Sequence, residues 1–235
     1  MALHRRERVD SPPKVRRGFV VFGSRDGWVY CLRAEDGKLI WRFRASPEER
    51  LIVAHDQLES VWPAYGSALI LGDEVFVCAG RSSYLDGGLY LYRLDLETGR
   101  VLSARRVYSR GPRGEQPEEP RPFEMPGALP DILSSDGELI YMQHRAFDRR
   151  TLEEREPKPH LFSPAGFLDG TWWHRTYWIF GTHFYSGYIG WFFAGREVPA
   201  GKILAFDEGR VYGFAYRPPF YRNRTGRGFI FSPPR

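Results

Sequence analysis

The chain has 235 residues, room for one large domain or two small ones at roughly 100–200 residues per domain. Hydrophobic residues make up 42%, which excludes wholesale disorder, and 34 Lys+Arg against 29 Asp+Glu leave a net charge of only +5. Aromatics at 16%, with 25 Gly and 18 Pro, point to an all-β protein with many turns.

Residues 1–17 carry charge but no apolar stretch, so they read as a basic N-terminal tail without a secretory signal. Strand patterns begin at Gly18. Gly18–Gly23 is a short apolar run, Ser24–Gly27 a turn, and Trp28–Leu32 a second strand. Glu35-Asp36-Gly37 is hairpin chemistry, and Lys38–Phe43 follows as a third strand. The same order returns downstream. Ser67–Leu71, the turn Gly72-Asp73 and Glu74–Cys78 make a hairpin, and Leu85–Gly88 leads into Leu89–Leu94. Glu97-Thr98-Gly99 then turns into Arg100–Leu102. At an offset of 62, Tyr30 falls on Tyr92, Leu32 on Leu94, Gly37 on Gly99 and Lys38 on Arg100. Two weaker echoes, Asp136–Tyr141 and Asp207–Tyr212, each place Asp five residues before Tyr.

Six prolines between residues 110 and 130 remove ladder donors, so this stretch reads as a loop between units. Phe162–Phe193 holds 13 aromatic residues. Thr176–Gly195 has no formal charge, but its glycines and hydroxyl residues argue against a transmembrane helix. Residues 218–235 form a C-terminal tail. Four-stranded antiparallel units repeated in this way predict an all-β fold, a β-propeller over 18–217 with about four to five blades, its ring closed or left open. Cys31 and Cys78 each lie in an apolar run and match no CxxC spacing; buried free thiols are expected, with a disulfide as the alternative.

The segment Tyr30–Trp41 resembles the repeat of pyrroloquinoline-quinone (PQQ)-like propellers, whose usual form is Tyr-Ala-Leu-Asp-x-x-Thr-Gly-x-x-x-Trp. The second copy, Tyr92–Gly99, matches the Asp-x-x-Thr-Gly part more closely. In that family the tryptophan packs between neighbouring blades. Ser103 stands where the second copy should carry it, so a looser interface is expected after the second unit. The strings Leu58–Pro63, Gly80–Gly88 and His160–Asp169 are similar to a subgroup of quinoprotein-like propeller proteins from planctomycete-type bacteria. The resemblance implies the C-terminal part of a longer protein with further blades upstream, and a periplasmic or exported location. Without it the chain reads as cytoplasmic.

Active quinoprotein dehydrogenases would imply PQQ with calcium, which needs an Asp base, Glu, Asn and Asp oxygens on Ca²⁺, and a Trp platform. The only asparagine here, Asn223, lies in the basic tail, so neither PQQ nor a metal is expected. His144, His160 and His183 have no metal-ligand spacing. The candidate ligand-binding residues are Glu59, Trp62, Arg81, Tyr84 and Asp86 in the loops of the second unit, and Trp173, His174, Arg175 and Tyr177 in the aromatic segment. Each has a structural alternative. Glu59 and Arg81 could form an ion pair, Asp86 could be a turn residue, and the aromatic segment could fill a core. No catalytic residue is assigned. Basic residues are dispersed among acids, which argues against nucleic acid.

The expected function is therefore a non-catalytic binding or scaffold module that recognises a small molecule or a protein. Self-association or upstream blades are further expected contacts. The alternatives are a domain of a quinoprotein dehydrogenase or carbohydrate-active enzyme completed by other blades, and a scaffold of the outer-membrane-assembly type.

Overall fold

The computed structural model describes residues 8–54, 57–111, 113–115, 127–130, 132–163, 178–183, 185–186, 192–193, 200–201, 203–207 and 209–214. Three four-stranded antiparallel sheets follow one another along the chain. The first contains β1 (Lys14–Arg16), β2 (Phe19–Gly23), β3 (Trp28–Arg33) and β4 (Leu39–Arg44). A separate hairpin, β5 (Leu51–Ala54) and β6 (Gln57–Ser60), rises from the connection to the second sheet. That sheet holds β7 (Leu69–Leu71), β8 (Glu74–Ala79), β9 (Leu89–Asp95) and β10 (Val101–Val107). The third holds β11 (Ser134–Ser135), β12 (Leu139–Met142), β13 (Arg145–Asp148) and β14 (Glu154–Arg155).

Beyond it, β15 (His160–Phe162) and β16 (Trp178–Gly181) pair with each other, and β16 also pairs with β19 (Ala200–Gly201). Two further hairpins are β17 (Tyr185–Ser186) with β18 (Phe192–Phe193), and β20 (Ile203–Phe206) with β21 (Val211–Phe214). The expected strands of the first two units are all present, and the 1–17 segment supplies β1 as the first strand of the first sheet. The expected tail 218–235 lies outside the described residues, as does most of the proline-rich loop.

Period-two alternation on β8 and β9 explains how the sheets stack. Val75, Val77, Ala79, Leu94 and Leu96 face the first sheet, where they bury Val21, Val29, Cys31 and Trp41. The residues between them, Phe76, Cys78, Leu89 and Leu91, face the third sheet and pack with Ile140, Met142, Phe147 and Leu152. A sheet apolar on both faces has to sit between two others, which is the blade arrangement of a propeller. The two cysteines fall on opposite sides of the second sheet and are both free. Burial pushes each thiol up to about 12.

One turn recurs at the same end of all three sheets. The Gly37 amide donates to the Arg33 carbonyl at 2.8 Å, Gly99 to Asp95 at 2.9 Å, and Leu152 to Asp148 at 2.9 Å. Their φ values are +68°, +68° and +60°. Asp95 Oδ1 accepts from the Thr98 amide at 2.8 Å and its hydroxyl at 2.6 Å, and Asp148 Oδ1 accepts from the Thr151 amide at 2.9 Å. Asp148-x-x-Thr151 is therefore a third copy of the repeat, hidden from sequence comparison because Leu152 occupies the glycine position. The echoes at Asp136 and Asp207 belong elsewhere, before β12 and β21. There the Tyr141 and Tyr212 hydroxyls each donate to an Asp carboxylate at 2.9 Å and lock the turn.

Trp41 shows what the repeat is for. Its indole N–H donates to the Leu96 carbonyl at 2.9 Å, and its ring lies over Gly99, where an added Cβ would come within 2.6 Å of Cδ2. At the next interface Ser103 offers no bulk, yet Leu152 is fully buried in the cluster between the second and third sheets. Leu152 thus supplies buried bulk to this interface from the receiving side.

Candidate functional site

In an antiparallel meander the connections alternate between the two ends of each sheet. The β2–β3 turn, the β5–β6 hairpin and the β8–β9 loop therefore share one end, opposite the repeated turns. Loop 80–88 is longer than its counterpart at 24–27, and this extra length carries Arg81, Tyr84 and Asp86. Residues 86–88 all have positive φ (+49°, +82° and +100°), a run that Gly87 and Gly88 make possible and that fits Asp86 as a turn residue.

Glu59, on β6, is the centre of this end. Its side chain is 2% exposed, and its carboxylate accepts from Arg25 Nη1 at 2.7 Å and Arg81 Nη2 at 2.5 Å. Burial pushes the Glu59 carboxyl up, but the hydrogen bonds and charges of Arg25 and Arg81 outweigh it and hold it below the usual carboxylate range. Arg25 also bonds Asp10, which pairs with Arg8. Arg81 further donates to the Val61 and Ser60 carbonyls at 3.3 Å each. The first sheet, the hairpin and the second sheet are thereby tied at one carboxylate.

Trp62 is almost fully buried. Its indole N–H donates to the Asp86 carbonyl at 2.8 Å, and its ring meets Tyr90 edge-on at 6.5 Å. Arg50 covers its face with the guanidinium 4.8 Å from the ring centroid, while also bonding Asp86 Oδ1 at 2.8 Å. Tyr84 sits slightly apart, packed against Gly127, where an added Cβ would overlap its ring. Four of the five described candidates, Glu59, Trp62, Arg81 and Asp86, thus meet in one network. Trp173, His174, Arg175 and Tyr177 lie outside the described residues.

The structure adds Arg25, Arg50 and Asp10 to the set. Arg25 was legible in principle, because like Arg81 it follows the second strand of its unit; Arg50 and Asp10 carry no local signal. Beside the network, Leu51, Ile52, Val53 and Leu58 are exposed on the hairpin, Val53 at 76%. At the opposite end, Glu74 is gripped by Arg93 and by Arg149, whose Nε lies at 2.9 Å, which ties the second sheet to the third. A cleft beside this pair is lined by Glu138, Asp148, Arg150, Arg155 and Glu156. Among the described residues no group of three or more His, Cys, Asp or Glu could hold a metal ion.

No protein-family model matches the chain, and no curated protein does. Solved structures do. A quinohemoprotein alcohol dehydrogenase from Comamonas testosteroni is 14% identical with a TM-score of 0.50, over 95% of this chain and 38% of that one. A second, from Pseudomonas putida, is 16% identical with a TM-score of 0.46, over 63% of this chain and 26% of that one. BamB from Moraxella catarrhalis is 15% identical with a TM-score of 0.40, over 87% of this chain and 55% of that one. The chain spans roughly a quarter to just over half the length of these proteins. At such identities the likeness speaks to architecture alone. With the three stacked four-stranded sheets it makes this chain an all-β protein with the PQQ-like propeller fold.

Proposed function

We propose that the chain is a non-catalytic propeller module that recognises a ligand or a protein partner through the loop end of its first two sheets. One observation carries this reading. Three carboxylates gathered there are engaged by arginine, Glu59 by two, Asp10 by two and Asp86 by one, beside a hairpin that shows Leu51, Ile52, Val53 and Leu58 to solvent. A carboxylate locked between guanidiniums is a poor proton acceptor, whereas arginine, tryptophan and exposed aliphatic side chains are recognition chemistry.

The same donor set is a poor match to calcium. Calcium takes six to eight oxygen ligands, and the carboxylate oxygens here face arginines instead. The likeness to the planctomycete-type subgroup rests on the strings at 58–63, 80–88 and 160–169, and belongs to this reading. Titration calorimetry with PQQ and CaCl₂, followed by a dye-linked alcohol oxidation assay, tests it. No saturable binding and no turnover are expected; saturable binding with turnover would overturn it.

A further inference from the structure

We propose that the outer edge of β5 takes up an extended segment of a partner protein as a third strand. The segment alternates apolar and polar side chains and carries lysine or arginine at its C-terminal end. This inference rests on the recognition reading above and names the partner chemistry of that same end of the sheets.

The register of the hairpin fixes which backbone groups face outward. The Val61 amide donates to the Arg50 carbonyl at 2.9 Å, and Ile52 lies opposite Glu59, so Arg50–Val61 and Ile52–Glu59 are hydrogen-bonded pairs. Leu51, Val53, Leu58 and Ser60 therefore turn their backbone groups away from the hairpin. On β6 that edge is in use, because the Ser60 amide donates to the Arg25 carbonyl at 2.8 Å. On β5, among the described residues, no backbone hydrogen bond reaches the outward groups of Leu51 or Val53.

The same residues also present their side chains. Leu51, Val53 and Leu58 share the face of the hairpin opposite Glu59 and are 51%, 76% and 57% exposed. Natural sheet edges are guarded by charge, proline or a bulge, and β5 has none of these between Leu51 and Ala54. Two strands with an apolar face lack the third strand that gives such a sheet stability of its own. Strand addition would supply main-chain hydrogen bonds for affinity and alternate side chains for specificity. Just before β5, Glu48 and Glu49 are exposed, while Arg50 is turned to Asp86 and Trp62. An antiparallel partner strand sets its C-terminal end beside these two acids, and opposite charges across a strand pair stabilise it.

The test titrates the full chain with the peptide acetyl-TVTVTKK-amide, for which saturable binding with a Kd below about 1 mM is expected. Its valines lie opposite Leu51 and Val53, with their amides facing β5. N-methylation of both valine amides should weaken binding about tenfold or more, whereas N-methylation of the last two threonine amides, on the far edge, should change it by less than about threefold. Val53→Pro removes one outward N–H at an edge where proline is tolerated. It should weaken binding about tenfold or more and leave the melting temperature within about 4 °C. Replacing the two lysines of the peptide by glutamates should weaken binding about fivefold or more. No saturable binding, equal loss from the two N-methylation patterns, or equal affinity for the glutamate peptide would overturn the proposal. So would self-association of the chain that Val53→Pro abolishes, because a second copy would then hold the edge. The titration with PQQ and calcium decides the recognition reading separately, so failure of the peptide to bind overturns this inference alone.

Discussion

The first and second sheets meet through a tryptophan laid flat on a glycine; the second and third meet through a leucine standing where that glycine would be. At the first interface the bulk comes from the donor strand, as Trp41, and the receiving turn is stripped to Gly99. At the second the donor position is Ser103, and the receiving turn supplies Leu152. A leucine at φ +60° costs about 1 kcal/mol or more in backbone strain, and burying its side chain returns roughly 1.5–3 kcal/mol. Both interfaces bury their bulk, so a missing tryptophan need not mean a loose interface.

Substitutions can break this comparison at each point, and Trp41→Ala should have the largest effect. It removes a buried indole and its hydrogen bond to Leu96, at a cost of about 3–5 kcal/mol in chemical denaturation. Leu152→Ala should cost about 2–4 kcal/mol, the range for a buried leucine. Converting the second interface into the first, Ser103→Trp with Leu152→Gly, should recover at least about 1 kcal/mol relative to the sum of the single changes. Additive single effects would show that the two positions do not share a space.

Glu59→Gln should cost about 2 kcal/mol, below the usual range for a broken buried pair because Arg25 and Arg81 keep some solvent. The folded Glu59 carboxyl is depressed, so its contribution is fully present above the unfolded value near pH 4.3 and is lost as pH falls through the folded value. Acid titration of stability should therefore be shallower in Glu59→Gln than in the parent, and parallel curves would refute the assignment. The smallest effect expected is Gly37→Ala, at about 1 kcal/mol from the positive φ alone. Gly99→Ala, with the same φ, should cost several times more because its Cβ meets Trp41.

Much of the fold was legible in residue order. The offset of 62 marks equivalent places, since Tyr30 and Tyr92, Leu32 and Leu94, and Gly37 and Gly99 hold matching positions in their sheets. Reading by identity missed the Asp148–Thr151 copy, because Leu152 replaces the residue by which the repeat is recognised. Of the candidate site, Glu59, Trp62, Arg81 and Asp86 come together as grouped, but their roles were open in sequence. An acid and an arginine 22 residues apart say nothing of a second arginine, Arg25, reaching the same carboxylate from another sheet.

Sequence by itself determined most strands of the first two sheets, the turns between them and the offset of 62 that relates them. Those depend on local chemistry: alternation, glycines at positive φ, and Asp side chains that cap turns. Only the tertiary structure decided which side of an interface supplies its bulk, that Glu59 is held between two arginines, and that no ring of the described residues lies over Gly37 as Trp41 lies over Gly99. These are properties of pairs far apart in the chain, and burial and charge pairing are settled when the sheets stack.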